Sequence, residues 1–233
     1  MKSVKVSLFI TSLVVAALVA SPVWAKQSLP AVNEEGMELV KDTRMTTIYA
    51  DPGVDLSIYQ RIWLEDASVA FKKNWQRDQN RSTSSASLRV KDSDVERIQQ
   101  DVASLFREVF TAELVKGRYE LVEHTGEDVL IVKPAIVDLD VIAPDLMTAQ
   151  HTNNFSESAG EMTLVLELYD SITHDKIVTA RDRKRDYQKG YLEWRTSVTN
   201  RATARRMMSS WAKAFRESLD DALHLVPGSQ NGA

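Results

Sequence analysis

Two stretches of the chain repeat apolar residues at helical spacing. In the first, Val95, Ile98, Val102, Leu105, Val109 and Ala112 fall on one face, widened by Phe106 and Phe110. Ser93-Asp94-Val95-Glu96 reads as a capping box that opens this helix. Gly117 stands where a left-handed residue would close it. In the second, from about Arg201 to Leu225, Ala204, Met208, Trp211, Phe215, Leu219 and Ala222 form one stripe, with Leu223 beside it. Each helix has one face to bury against something flat.

Strand patterns supply the flat partner. Arg61–Leu64 and Tyr119–Val122 are short candidates, and Val129–Ile142 is a longer one. Pro134 inside the longer run marks an edge or a bulge, because proline cannot donate to a ladder. Glu161–Tyr169 alternates at Met162, Leu164, Leu166 and Leu168. Asp170–Asp175 makes a tight turn, with His174 where a hairpin usually wants glycine, into a strand over Lys176–Tyr187. The order β-α-β-β-β-β-α predicts an α+β two-layer sandwich. Its sheet is mostly antiparallel and both long amphipathic helices lie on one face.

The ends of the chain read differently. Lys2 and Lys5 precede an uncharged run from Leu8 to Ala20, and Val23 and Ala25 are the small residues of a cleavage site. That pattern is a Sec-type signal peptide over residues 1–25, cleaved after Ala25. Its apolar run is short beside the roughly 20 residues of a membrane span, the feature that separates it from a retained anchor. Residues 26–43 carry Pro30, Gly36 and scattered charges and read as a flexible leading segment. A single domain is expected over 44–226, followed by a disordered polar tail over 227–233. The expected location is the periplasm, with peripheral association at the outer membrane left open.

Composition narrows the chemistry. The 233 residues include no cysteine, which excludes disulfides, thiolate metal sites, a cysteine nucleophile and a lipidated N-terminal cysteine. The net charge of −4 becomes −6 without Lys2 and Lys5 and argues against a general nucleic-acid binder. Each of the four histidines stands alone, and no Walker, G-x-S-x-G or G-x-G-x-x-G motif is present. No cofactor is expected. Asp138 and Asp140 would share one strand face, with Val137, Leu139 and Val141 on the buried side, and Asp145 follows shortly. Such carboxylates either bind a hard cation such as Ca²⁺, divide an acid and a base role, or form a solvated face.

A basic stretch is more informative. Arg181, Arg183, Lys184, Arg185, Lys189, Arg195, Arg201, Arg205 and Arg206 face only Asp182, Asp186 and Glu193, a local net of +6. Arg181, Arg183 and Arg185 would share a strand face, followed by the aromatic Tyr187, Tyr191 and Trp194. Arginines with interleaved aromatics suit phosphate or carboxylate partners; a charged edge strand that discourages sheet pairing is the plainer alternative. Phe71 and Trp75, in the polar stretch Phe71–Arg81, belong either to a structured loop over the sheet or to a partner-facing surface.

Several of these segments resemble the proteobacterial envelope proteins grouped as domain of unknown function 3313. The resemblance rests on Asp51-Pro52-Gly53-Val54-Asp55-Leu56 with Tyr59, on Phe71–Asn80, and on Lys133–Asp140. It continues through Ser158–Leu164, Leu168-Tyr169-Asp170-Ser171 and Trp211. It implies an envelope protein and brings no catalytic residue with it. Many members look like lipoproteins, a pattern from which this cysteine-free chain departs. The element order also resembles TolB-type amino-terminal modules, which act through protein contacts. The expected function is thus a non-enzymatic interaction or assembly factor with a basic face for an envelope protein or another anionic envelope surface. The alternative is a hydrolase or a small-ligand or cation-binding protein built on Asp138, Asp140 and Asp145.

Overall fold

Alternation along the strands decides how the layers meet. The computed structural model describes residues 29–41, 43–81, 86, 89–117, 119–141, 154–156, 160–186, 193–195 and 197–224, the side chains of 154–156, 193–195, 197–199 and 223–224 excepted. Its elements begin with β1 (Glu38–Val40), β2 (Thr47–Ala50), a 3-10 turn (Leu56–Ile58), β3 (Arg61–Leu64), β4 (Ser68–Phe71), α1 (Trp75–Arg81) and α2 (Asp92–Leu114). There follow β5 (Glu120–Leu121), β6 (Val129–Val141), β7 (Asn154–Ser156), β8 (Gly160–Asp170), β9 (Lys176–Arg185), β10 (Glu193–Arg195) and α3 (Ser197–His224).

Eight strands form one sheet in the order β1-β2-β9-β8-β6-β3-β5, with β4 also pairing β6. β7 and β10 pair separately. The expected mixture of helix and sheet is present, but the sheet is mixed in direction. β1, β2, β9, β8 and β6 run antiparallel to their neighbours. β3 and β4 run parallel to β6, and β3 to β5. The reason is α2, whose length lets the chain cross over and return in the same direction, as a parallel pair requires.

Met162, Leu164, Leu166 and Leu168 of β8 point the same way as Val178 and Ala180 of β9. They enter a core shared with Phe106 and Phe110 of α2 and Met208, Trp211 and Phe215 of α3. Phe106 stacks on Phe110 at 3.9 Å between centroids, and Phe110 meets Phe215 at 6.3 Å, so the two helices are joined by rings. The helices therefore share one side of the sheet, and the other side carries Lys133 of β6, Glu161, Thr163 and Glu167 of β8, and Arg181, Arg183 and Arg185 of β9.

Several local expectations are corrected. The first helix starts two residues earlier than its capping box suggested, because Asp94, not Glu96, accepts from the backbone of the capping residue, Lys91 (3.0 Å). Gly117 is not left-handed; a Cβ there would lie 3.2 Å from Leu114 O and Tyr119 Cδ2, so close packing is its constraint. Residues 26–43 were expected to be flexible, yet β1 and the buried Met37 lie within them. The Asn33 side chain organises that segment by accepting from the backbone of Glu35 and Met37. Pro134 sits in an interior strand, opposite Leu166, in the interval where the partner on the other side changes from β3 to β4.

The bulge lies further along. Between Val137 and Asp140 the register of β6 shifts against β8, and Asp138 takes a positive φ of 53°. Val137 already faces the open side by alternation after Ile136; Asp138 and Leu139 then oppose the single Met162 of β8, which keeps Leu139 inward and leaves both aspartates outward. Gly160 accommodates this bulge: its φ is 127°, and a Cβ there would fall 1.7 Å from Asp140 O.

A polar lock joins the layers. Asp182, on the core side of β9, accepts from Trp211 Nε1 of α3 at 2.7 Å and from both the backbone and the hydroxyl of Thr46. Trp211→Phe keeps most of the ring but leaves a buried carboxylate oxygen without its donor. It is expected to cost about 2 kcal/mol, measured as the drop in unfolding free energy in urea.

Candidate functional site

The hairpin between β8 and β9 builds the site. His174 takes the left-handed conformation expected of it (φ 61°), and the Asp170 carboxylate accepts from the backbone of Ile172 and Thr173. Beyond the turn one extra residue, Ile177, enters β9 between the Tyr169–Lys176 and Leu168–Val178 pairs, and from there the ladder sets Glu161 opposite Arg185, Thr163 opposite Arg183 and Val165 opposite Arg181. All six lie on the face away from the helices.

The two candidate regions read separately in the sequence meet there. Arg183 Nη2 stands 2.5 Å from Glu161 Oε1, and Arg185 Nε stands 3.6 Å from Oε2. Lys72, just after β4, reaches Asp140 at 3.1 Å and Glu161 at 3.9 Å. Arg181 reaches Asp138 at 3.5 Å. Asp138 and Asp140 are thus not a free carboxylate pair; each has a cation, and among the described residues no group of acids and histidines is placed to hold a metal ion. Asp145 lies outside the described residues.

Charge in this cluster is layered. The Glu161 side chain is 8% exposed, whereas Arg181, Arg183 and Arg185 are 56%, 63% and 63% exposed. At Glu161 carboxylate lies beneath and the guanidiniums of Arg183 and Arg185 above, whereas the Asp138 carboxylate, 59% exposed, stands level with Arg181. Arg183 holds the Glu161 carboxyl below the usual carboxylate range, with Arg185 and Lys72 adding to it against the opposing effect of burial.

Other candidates fall elsewhere. Arg201 and Arg205 lie on α3 and brace Glu108 of α2 at 3.0 and 2.7 Å, and Arg206 meets the buried Asp186 at 3.3 Å. The basic stretch therefore does not form one continuous face, because β9 and α3 belong to different layers. Trp75 is buried, stacks on Phe71 at 4.1 Å and donates Nε1 to Val141 O at 3.1 Å. The Phe71–Trp75 segment is a structured cover, and Trp75 is not an exposed contact. Tyr187 lies outside the described residues, as does the side chain of Trp194. Glu161 and Lys72 escaped the sequence reading: counting back from the turn sets Glu161 against Lys184, and only the register shift between Leu168 and Tyr169 brings it opposite Arg185.

Comparison with known proteins adds a family. Residues 33–215 match the model described as "Protein of unknown function (DUF3313)". The chain belongs to this family. No curated protein matches the sequence. Among solved structures, this DUF3313 chain is similar to protein XCC0632 from Xanthomonas campestris, a DUF330 protein, with a TM-score of 0.38 and 11% identity, covering 77% of this chain and 95% of that one. It is similar to the PelC dodecamer from Paraburkholderia phytofirmans (TM-score 0.35, 8% identity, 73% and 96% covered). It is also similar to the rare lipoprotein B from Shewanella oneidensis (TM-score 0.25, 10% identity, 69% and 94% covered). At this level of similarity nothing those proteins do passes to this chain. Among the described residues no helix is long and apolar enough to cross a membrane.

The layered charge has a pH signature. A carboxyl whose folded pKa is lowered stabilises the fold above its unfolded value, about 4.3, and loses that contribution as pH falls through the folded value. Glu161→Gln should lower stability at pH 7 by about 1 kcal/mol, a modest loss because the guanidiniums are exposed to solvent. The gap from the unaltered protein should close below about pH 4, read from urea unfolding at a series of pH values.

Proposed function

We propose that this DUF3313 protein is a non-enzymatic interaction or assembly factor of the bacterial periplasm. Its open sheet face, at Arg181, Arg183 and Arg185, engages an anionic envelope partner. The observation that carries the reading is the arrangement of exposed guanidiniums above the buried Glu161 carboxylate. A guanidinium has five N–H donors. Arg183 and Arg185 each meet one carboxylate here, so most of their donors face solvent and suit phosphate or carboxylate oxygens. Glu161 holds the two side chains in place before a partner arrives, which lowers the ordering cost of binding. The resemblance of the element order to TolB-type modules agrees with action through protein contacts.

The alternative, cation binding or hydrolysis at Asp138, Asp140 and Asp145, would require Asp138 to release Arg181 and Asp140 to release Lys72. Periplasmic residence rests on the signal-peptide pattern of residues 1–25, which lie outside the described residues.

Photo-crosslinking in cells tests the proposal. A photoreactive residue at Arg181 should give an adduct in the envelope fraction, and one at Lys213, on the solvent side of α3, should not. Arg183→Gln with Arg185→Gln should reduce the first adduct at least tenfold, while Asp138→Asn with Asp140→Asn should leave it. Equal adducts from both positions, or an adduct indifferent to the arginines, would overturn the reading.

A further inference from the structure

Positive charge is also dense outside the site described above. Between Lys72 and Lys91 the chain holds six basic residues, Lys72, Lys73, Arg77, Arg81, Arg89 and Lys91, against one acid, Asp78. Lys72 is held by Asp140 and Glu161. The other five are exposed, and they gather around α1, a helix of seven residues about 10 Å long. Trp75 Nε1 and Gln79 Nε2 both donate to Val141 O, at 3.1 and 3.2 Å, which turns that side of α1 to the end of β6. Gln76 and Asn80 donate to Val90 O at 3.3 and 2.9 Å, and Asn80 accepts from Val90 N at 2.7 Å. Arg77 and Arg81, one helical turn apart, are left on the outer side with Asp78. The bonds to Val90 bury it, while Arg89 and Lys91 on either side of it stay exposed. Lys73 stands exposed in the turn before α1.

Charge on this surface is uncompensated. Among the described residues Lys73, Arg81, Arg89 and Lys91 pair with no acid, and Arg77 meets only Asp78, at 3.4 Å. The nearby acids are engaged elsewhere: Asp92 accepts from Gln76 at 2.8 Å, and Asp94 takes Arg97 and the backbone of Lys91. Arg183 and Arg185 differ, since Glu161 neutralises them from below. No large apolar side chain is exposed among the described residues of this surface. A protein–protein interface has an apolar centre, which these residues do not supply. Flexible, unpaired cations suit a layer of laterally mobile anions. There each Lys or Arg brought near adds about fivefold to binding, and no side chain need be held in one geometry.

We infer that the surface formed by Lys73, Arg77, Arg81, Arg89 and Lys91 seats the protein on an anionic phospholipid bilayer, held there by charge. The inference goes beyond the interaction proposed for Arg181, Arg183 and Arg185 and stands without it. The net charge of −4 makes the seating directional, because a negative surface attracts the α1 region and repels the chain as a whole.

Co-sedimentation of the purified protein with vesicles tests it. Vesicles of equal parts phosphatidylglycerol and phosphatidylcholine should bind the protein, and phosphatidylcholine alone should not. Binding should fade between about 0.1 M and about 1 M salt, where the screening length falls from about 10 Å to about 3 Å. Arg81→Gln with Arg89→Gln and Lys91→Gln should weaken it about a hundredfold, and Lys73→Gln alone about fivefold. Urea unfolding of both variants should match that of the unaltered protein; if the triple variant fails to fold, Lys73→Gln and the salt series decide. Arg183→Gln with Arg185→Gln should leave vesicle binding unchanged. Equal binding to both kinds of vesicle, binding indifferent to salt, or full binding by the triple variant would overturn the inference. So would absence of vesicle binding while soluble polyglutamate is bound through the same residues, which gives the surface to an acidic protein. If vesicle binding fails while the Arg183- and Arg185-dependent crosslink in cells persists, the bilayer assignment falls and the interaction face stands.

Discussion

The bond from Trp211 Nε1 to Asp182 fixes which way strand β9 faces. A strand slipped or rotated by one residue exchanges its two faces. Asp182 is tied inward by Trp211 and by Thr46, and Val178 and Ala180 are inward with it. Arg181, Arg183 and Arg185 are then outward by necessity. Releasing Asp182 would leave a buried carboxylate without its donors, at a cost of several kcal/mol. One polar contact between the layers thus sets the orientation of three side chains on the far side of the sheet.

Those outward arginines would repel one another if nothing lay beneath them. Glu161, one strand over, removes that strain at Arg183 and Arg185, and Asp138 does the same for Arg181. The bulge of β6 makes the second contact available, because it turns both aspartates to the open face while Leu139 stays in the core. Gly160 permits that bulge, since any Cβ at this position would collide with Asp140 O. The result is an ordered cationic edge at Arg183 and Arg185 whose counter-charge, Glu161, lies below it.

Much of this was legible in the sequence and some was not. The period of Met162, Leu164, Leu166 and Leu168 and the stripe through Met208, Trp211 and Phe215 were sufficient to find β8 and α3. The outward set of Arg181, Arg183 and Arg185 followed from the same alternation. Long-range pairing was not available that way. That β6 lies between β4 and β8, with β9 beyond β8, brings Asp140 to Lys72 and Asp138 to Arg181; it depends on which strands become neighbours, which periodicity does not encode. Trp75 shows a different limit: a tryptophan in a polar segment looks like a surface contact until Phe71 is known to stack on it. The +6 stretch misled because charge was summed along the chain, whereas Arg201 and Arg205 lie in another layer and serve Glu108.

Chemical labelling of arginine tests the account most directly. Phenylglyoxal modification, read residue by residue by mass spectrometry, would be compared between intact cells and the purified protein. The account predicts that Arg183 and Arg185 react freely in the purified protein and are protected in cells, whereas Arg205, 43% exposed on α3, reacts equally in both. Equal reactivity of Arg183 and Arg185 in the two settings would contradict it.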